Sequence, residues 1–181
     1  TEITSDYVTA VEYDKLTEVI IPEGVKSVGI YAFSGASSLT RITIPNSVIS
    51  IEGAAFGSCW KLTSIKIPNS VTSIGERAFM GCTSLTGIII PNGVTSIDNY
   101  TFSGCTGLTE MCIPDGVADI PVKIFYNCTG LQTVELPQGA LTIGNYAFNG
   151  CTGLSALELP DGLESIGEGA FYGCTGLAEM C

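Results

Sequence analysis

Six of the eight cysteines, Cys59, Cys82, Cys105, Cys128, Cys151 and Cys174, follow one another at intervals of 23 residues. Thiols spaced so regularly could bind a metal ion, form disulfides or fill interior space. A metal site fits poorly, because the chain has no histidine and no Cys-x-x-Cys pair, so the usual tetrahedral zinc spacings are missing. Disulfides between neighbouring units are an open alternative, since the bond accepts a Cα separation of about 5 Å. Burial as free thiols is the favoured reading, because an unpaired cysteine behaves as a small apolar filler and is among the most interior residue types. Cys112 and Cys181 fall outside the series.

Catalysis finds little support. Without histidine the commonest general base and every Ser-His or Cys-His arrangement are missing. Glu135 and Glu158 are an acidic pair one interval apart, and they read as decoration of a solvated face rather than as a catalytic pair. The Gly-Cys-Thr-Gly stretches carry no P-loop lysine and no dinucleotide signature. No catalytic residue, cofactor or metal is therefore expected. A formal charge of −11 with seven Lys plus Arg opposes binding to nucleic acid or to an anionic membrane surface. No apolar run approaches the roughly 18 to 20 residues that span a bilayer.

The interval that orders the cysteines orders most of the chain. Proline recurs at 22, 45, 68, 91, 114, 137 and 160, with only Pro121 outside the series, and all seven phenylalanines obey the same period from Phe33 to Phe171. Leucine follows from Leu16 to Leu177. A fixed period of this length is the mark of a solenoid, whose units cannot bury their apolar face alone and must stack.

One unit, residues 62 to 84, shows the elements. Ile65 and Ile67 point to one side of an extended segment while Ser64 and Lys66 point to the other, because side chains alternate with period two. Pro68 ends that strand by removing a backbone donor, and the Asn69-Ser70 pair supplies turn chemistry. A second short strand, Val71 to Ile74, gives way to Gly75 and a Glu-Arg-Ala-Phe stretch long enough for one helical turn. Rungs about 4.8 Å apart make seven units a rod about 35 Å long.

The unit Leu-x-x-Ile-x-Ile-Pro-x-x-Val-x-x-Ile-Gly-x-x-Ala-Phe-x-x-Cys resembles the BspA-like, or Treponema-type, leucine-rich repeat over residues 16 to 181. The resemblance implies a leucine-rich-repeat solenoid in which short parallel strands stack in a right-handed coil with short helical turns, mainly β and irregular. It also implies a bacterial, less often protozoan, surface protein with an extracellular adhesive role towards host proteins. Residues 1 to 15 do not align with the repeat and are read as an N-terminal cap, with Val8, Val11 and Tyr13 covering the first rung. Seven repeats and the start of an eighth follow, and because Cys181 falls inside a strand the expectation is that either the array continues in a longer parent or the chain was cut there; the uncapped last rung also offers an edge for end-to-end self-association. The fifth unit is the least regular: Pro121 stands where Gly is usual, Ile124 where Ala is usual, and a local distortion is expected there.

The outward strand positions form two columns. One holds Glu18, Arg41, Ser64, Gly87, Glu110, Thr133, Ala156 and Glu179; the other holds Ile20, Thr43, Lys66, Ile89, Cys112, Glu135, Glu158 and Cys181. These positions vary between units while the core positions do not. Outward Ile20, Ile89 and Cys112, with a basic spot at Arg41 and Lys66, favour a partner-binding face over a merely solvated one. Trp60, the only tryptophan, occupies a turn position that is Thr in five other units; it either anchors an interface or packs over neighbouring turns. Tyr100, Tyr126, Tyr146 and Tyr172 lie on the turn side as a weaker patch. The expected function is non-enzymatic protein binding or adhesion through the strand face, with a structural spacer or stalk as the alternative.

Overall fold

In Ser64–Lys66 the middle residue Ile65 is buried and both neighbours are exposed, and the same alternation holds in Arg41–Thr43, Glu110–Cys112 and Thr133–Glu135. Each of these three-residue strands turns one side chain inward and two outward, which is what a pleated wall closing an apolar interior requires. The computed structural model describes residues 2–3 and 13–180. Within them the chain is a parallel β-solenoid whose rungs have three walls.

The first wall contains Glu18–Ile20, Arg41–Thr43, Ser64–Lys66, Gly87–Ile89, Glu110–Cys112, Thr133–Glu135, Ala156–Leu157 and Glu179–Met180. These strands pair in parallel, two by two, in the register the repeat dictates: Ile20 opposite Thr43, Lys66 opposite Ile89 and Cys112 opposite Glu135. The second wall is Ser27–Val28, Ser50–Ile51, Ser73–Ile74 and Ser96–Ile97, with Glu2–Ile3 at its edge, followed by a separate sheet of Asp119–Ile120, Thr142–Ile143 and Ser165–Ile166.

The third wall is the turn, and it differs from expectation. Where one helical turn was expected at residues 76–79, the chain makes successive reverse turns, with the Ala78 amide donating to the Gly75 carbonyl and the Met80 amide to Arg77. Arg77 itself has φ 57°, which a right-handed helix does not admit. The same position is left-handed in Tyr31, Ala54, Tyr100, Lys123, Tyr146 and Gly169. Breaking the helix this way frees alternate amides to reach the next rung: Arg77 donates to Asn99, Phe79 to Thr101 and Gly81 to Ser103. The turn is thus a third inter-rung ladder, which meets the requirement that buried amides find partners.

Inside, the phenylalanine rings from Phe33 to Phe171 stack with centroids 5.4 to 5.9 Å apart. Beside them run the cysteines, free throughout the described residues, each donating its thiol proton to the carbonyl of a Phe in the rung before: Cys59 to Phe33, Cys105 to Phe79, Cys151 to Phe125. Neither disulfides nor a metal cluster occur among the described residues.

Pro121 explains the break in the second wall. Glu52, Gly75, Asp98, Gly144 and Gly167 each donate their amide back to the preceding strand, to Val28, Ile51, Ile74, Ile120 and Ile143. Proline has no amide hydrogen to donate to Ile97, and the sheet stops between Ser96–Ile97 and Asp119–Ile120. The expected distortion is confined there, because the turn that follows keeps the common geometry, with Lys123 at φ 53°. Of the expected cap, Tyr13 is half-buried and donates its hydroxyl to the Ala32 carbonyl over 3.1 Å. Val8, Val11 and, at the other end, Cys181 lie outside the described residues.

Candidate functional site

All the residues singled out from sequence, Glu18, Ile20, Arg41, Thr43, Lys66, Ile89, Glu110, Cys112, Glu135, Glu158 and Trp60, have exposed side chains. The pleat places the first ten on or at the end of the outer side of the first wall. Only some of them meet.

An open depression of about 750 Å³ crosses four adjacent rungs of that wall, from Ser64 and Lys66 through Gly87, Ile89, Glu110 and Cys112 to Thr133 and Glu135. Gly87 lines it without a side chain, and an added Cβ there would find nothing within 4 Å. Beside the gap stands Ile89, 84% exposed, the most solvent-exposed large apolar side chain of the described residues. The depression brings together Lys66, Ile89, Glu110, Cys112 and Glu135; it does not include Glu18, Ile20, Arg41, Thr43, Glu158 or Trp60.

Electrostatics divide the face along the rod. Arg41 is largely exposed and lies 4.0 Å from Glu18 on the neighbouring rung, outside the depression, so Lys66 is the cation that borders it. An exposed pair of this kind contributes little to stability, at most about 1 kcal/mol. On the other side of Ile89 the outward positions carry Glu110, Glu135, Glu158 and Glu179. Between them, Cys112 keeps its proton: partial burial pushes its pKa up, and the hydrogen bond and negative charge of Glu135 push it further. The thiol is therefore a weakly polar neighbour of Ile89 rather than a nucleophilic thiolate.

Trp60 is 56% exposed at a turn outside the depression, so its ring is not packed away under neighbouring rungs. On the turn wall the period stacks Arg77, Tyr100, Lys123 and Tyr146 on successive rungs. The Arg77 guanidinium stands 4.7 Å over the Tyr100 ring, and the Lys123 ammonium stands 5.3 to 5.4 Å from the rings of Tyr100, Tyr126 and Tyr146. Tyr146 also donates to the Glu168 carboxylate over 2.5 Å, a bond that raises the Tyr146 pKa. Sequence reasoning found these tyrosines but missed Lys123 among them, although the interval that aligns Tyr100 with Tyr146 passes through it.

No described helix is long and apolar enough to cross a membrane. A comparison with curated proteins found no match. A family model described as a BspA type leucine rich repeat region matches in six copies over residues 7–131 and 118–181. Among solved structures, a leucine-rich-repeat protein of Treponema pallidum superimposes with a TM-score of 0.87 at 36% identity, covering 91% of this chain and 79% of its own. A leucine rich cell surface protein of Faecalibacterium prausnitzii gives 0.58 at 33% identity, covering 92% of this chain and 54% of its own. A leucine-rich-repeat protein of Bacteroides ovatus gives 0.70 at 27% identity, covering 92% and 55%. The chain thus spans about half the length of the last two relatives.

Proposed function

The chain belongs to the BspA-type leucine-rich-repeat family, and from that premise we propose that it is a non-catalytic binding module that meets a protein partner with the outer side of its first wall. The observation that carries this reading is the depression around Gly87 and Ile89. A monomer gains nothing for its own stability from an isoleucine 84% exposed beside an empty gap, whereas an interface gains an apolar anchor flanked by polar groups. The ordinary partner surface is a folded or extended polypeptide, since the acidic balance of the chain works against nucleic acid and anionic lipid. Adhesion at the cell surface or outside the cell is the setting we propose, in keeping with the F. prausnitzii relative described as a cell surface protein.

A second reading, a spacer within a longer surface protein, draws on the continuous phenylalanine stack, which gives the rod one repeating cross-section from end to end. The two are separated by screening the folded chain against immobilised extracellular-matrix, serum and cell-surface proteins beside an Ile89→Asp, Lys66→Glu variant. A saturable partner that the variant no longer holds supports the binding module. A partner retained by the variant removes the assignment to this face, and no partner at all favours the spacer.

A further inference from the structure

The depression has an order of charge as well as a shape. Lys66 stands on one rung, the Gly87 gap and Ile89 on the next, Glu110 and Cys112 on the third, and Glu135 on the fourth. No ion pair joins Lys66 to either glutamate among the described residues. Three rung spacings set the ammonium and the Glu135 carboxylate about 14 Å apart along the rod. That span matches about four residues of extended chain.

We infer that the preferred occupant is an extended polypeptide segment lying along the rod. It carries an acidic residue at Lys66, an apolar side chain in the Gly87 gap against Ile89, and a basic residue at Glu110 and Glu135. This rests on the reading of the first wall as the binding surface and specifies its partner's chemistry. Lys66 is the one cation bordering the depression and Glu110 and Glu135 are its two anions, so a segment with charges of one sign meets repulsion at one end. The apolar residue is held near the middle, because Gly87 is the one position on these four rungs where an outward side chain is absent. Peptide main chain is not required to pair with the wall, whose strands already pair with their neighbours; recognition comes from three side chains at fixed spacing.

The test uses the folded chain and three synthetic nine-residue peptides in a Gly/Ser background, with Asp-Leu-Lys, Asp-Leu-Asp or Lys-Leu-Lys at two-residue intervals. Titrations are followed by backbone amide NMR at low ionic strength. The mixed-charge peptide should shift the Gly87 and Ile89 amides saturably and bind about tenfold more tightly than either same-charge peptide. Lys66→Glu should move the preference to Lys-Leu-Lys. Gly87→Val, whose side chain enters open space, should weaken all three peptides while melting like the parent. Equal binding of the three peptides, no shift at Gly87 and Ile89, or no change of preference in Lys66→Glu overturns the inference. If that happens while a partner from the protein screen is still lost with the Ile89→Asp, Lys66→Glu double variant, the binding face stands and only its proposed occupant falls. If the screen is also indifferent to that double variant, both fall.

Discussion

The thiol of Cys82 donates to the carbonyl oxygen of Phe56 over 3.2 Å, joining two columns of the interior across neighbouring rungs. This contact explains why cysteine suits a position that Ala36 fills in the first unit. Both are small, and the thiol adds a second donor to a carbonyl that already accepts from the Cys59 amide.

Thiols held this way are poor nucleophiles. Burial pushes Cys59 and Cys128 up to about 12, against which the backbone hydrogen bonds pull only weakly. Among the described cysteines, exposed Cys112 should react slowly with iodoacetamide in the native protein at neutral pH, half-buried Cys174 more slowly still, and the five buried thiols only with denaturant. Native modification at Cys105 or Cys128, detected by peptide mass analysis, would show that the interior opens more readily than its packing indicates.

The same thiols give a pH dependence whose sign is fixed. Their folded pKa lies above the ordinary value of 9.0, so unfolded thiols ionise first as pH rises. Their contribution is complete below pH about 9 and is lost between about 9 and 12, at about 1.4 kcal/mol per pH unit for each thiol. Urea midpoints should be flat up to about pH 8 and fall above 9. A variant with Cys105→Ala and Cys128→Ala should fall less steeply; an equal slope would assign the loss to other groups.

Strand register was legible in the sequence because alternation in Ser64, Ile65 and Lys66 leaves one way to bury the isoleucine. The columns of the outer face followed from that register alone. Gly87 stood in its column, but which members of the columns meet around it was not legible, since that depends on how the side chains of four rungs lie on the wall, which register alone does not set. The turn was misread for a physical reason. Glu76, Arg77, Ala78 and Phe79 have ordinary helix propensities, and only Gly169, alone in the column of Arg77, hints that this position is left-handed in every rung. Inter-rung hydrogen bonds outweigh local propensity there.

Glycines should separate site from scaffold. A Cβ at Gly107 would lie 2.6 Å from the Thr83 carbonyl oxygen, a backbone atom of the rung before, so Gly107→Ala must push two rungs apart and should cost about 1–3 kcal/mol. Gly87→Ala meets nothing within 4 Å and should stay within about 0.5 kcal/mol of the parent. In a chain of this size the first change lowers Tm by about 2–4 °C per kcal/mol. Equal melting of the two variants would mean that rung spacing is softer than the close backbone contacts imply.

At the broken second wall, Pro121→Gly should supply the missing donor to Ile97. Hydrogen exchange should then find a protected amide at position 121 and slower exchange at neighbouring amides of the second wall. An amide at 121 that exchanges as fast as those of surface loops would place the break elsewhere than in the missing N–H.

That break gives the Lys123 cluster a structural task. Its ammonium faces the ring of Tyr126 in its own turn and those of Tyr100 and Tyr146 in the turns on either side, two residues after the proline that interrupts the adjoining wall. A half-buried cation shared by Tyr100, Tyr126 and Tyr146 ties the third wall across the rungs where the second is open. Lys123→Ala should therefore cost about 0.5–2 kcal/mol in urea unfolding. The cost should shrink when Pro121→Gly restores the ladder beside it, because the two ties then act in parallel on the same rungs. A double-mutant cycle reads this directly, with a coupling above about 0.5 kcal/mol expected for neighbouring elements that share a load. Strict additivity would mean that the Lys123 cluster decorates the turn wall without holding it.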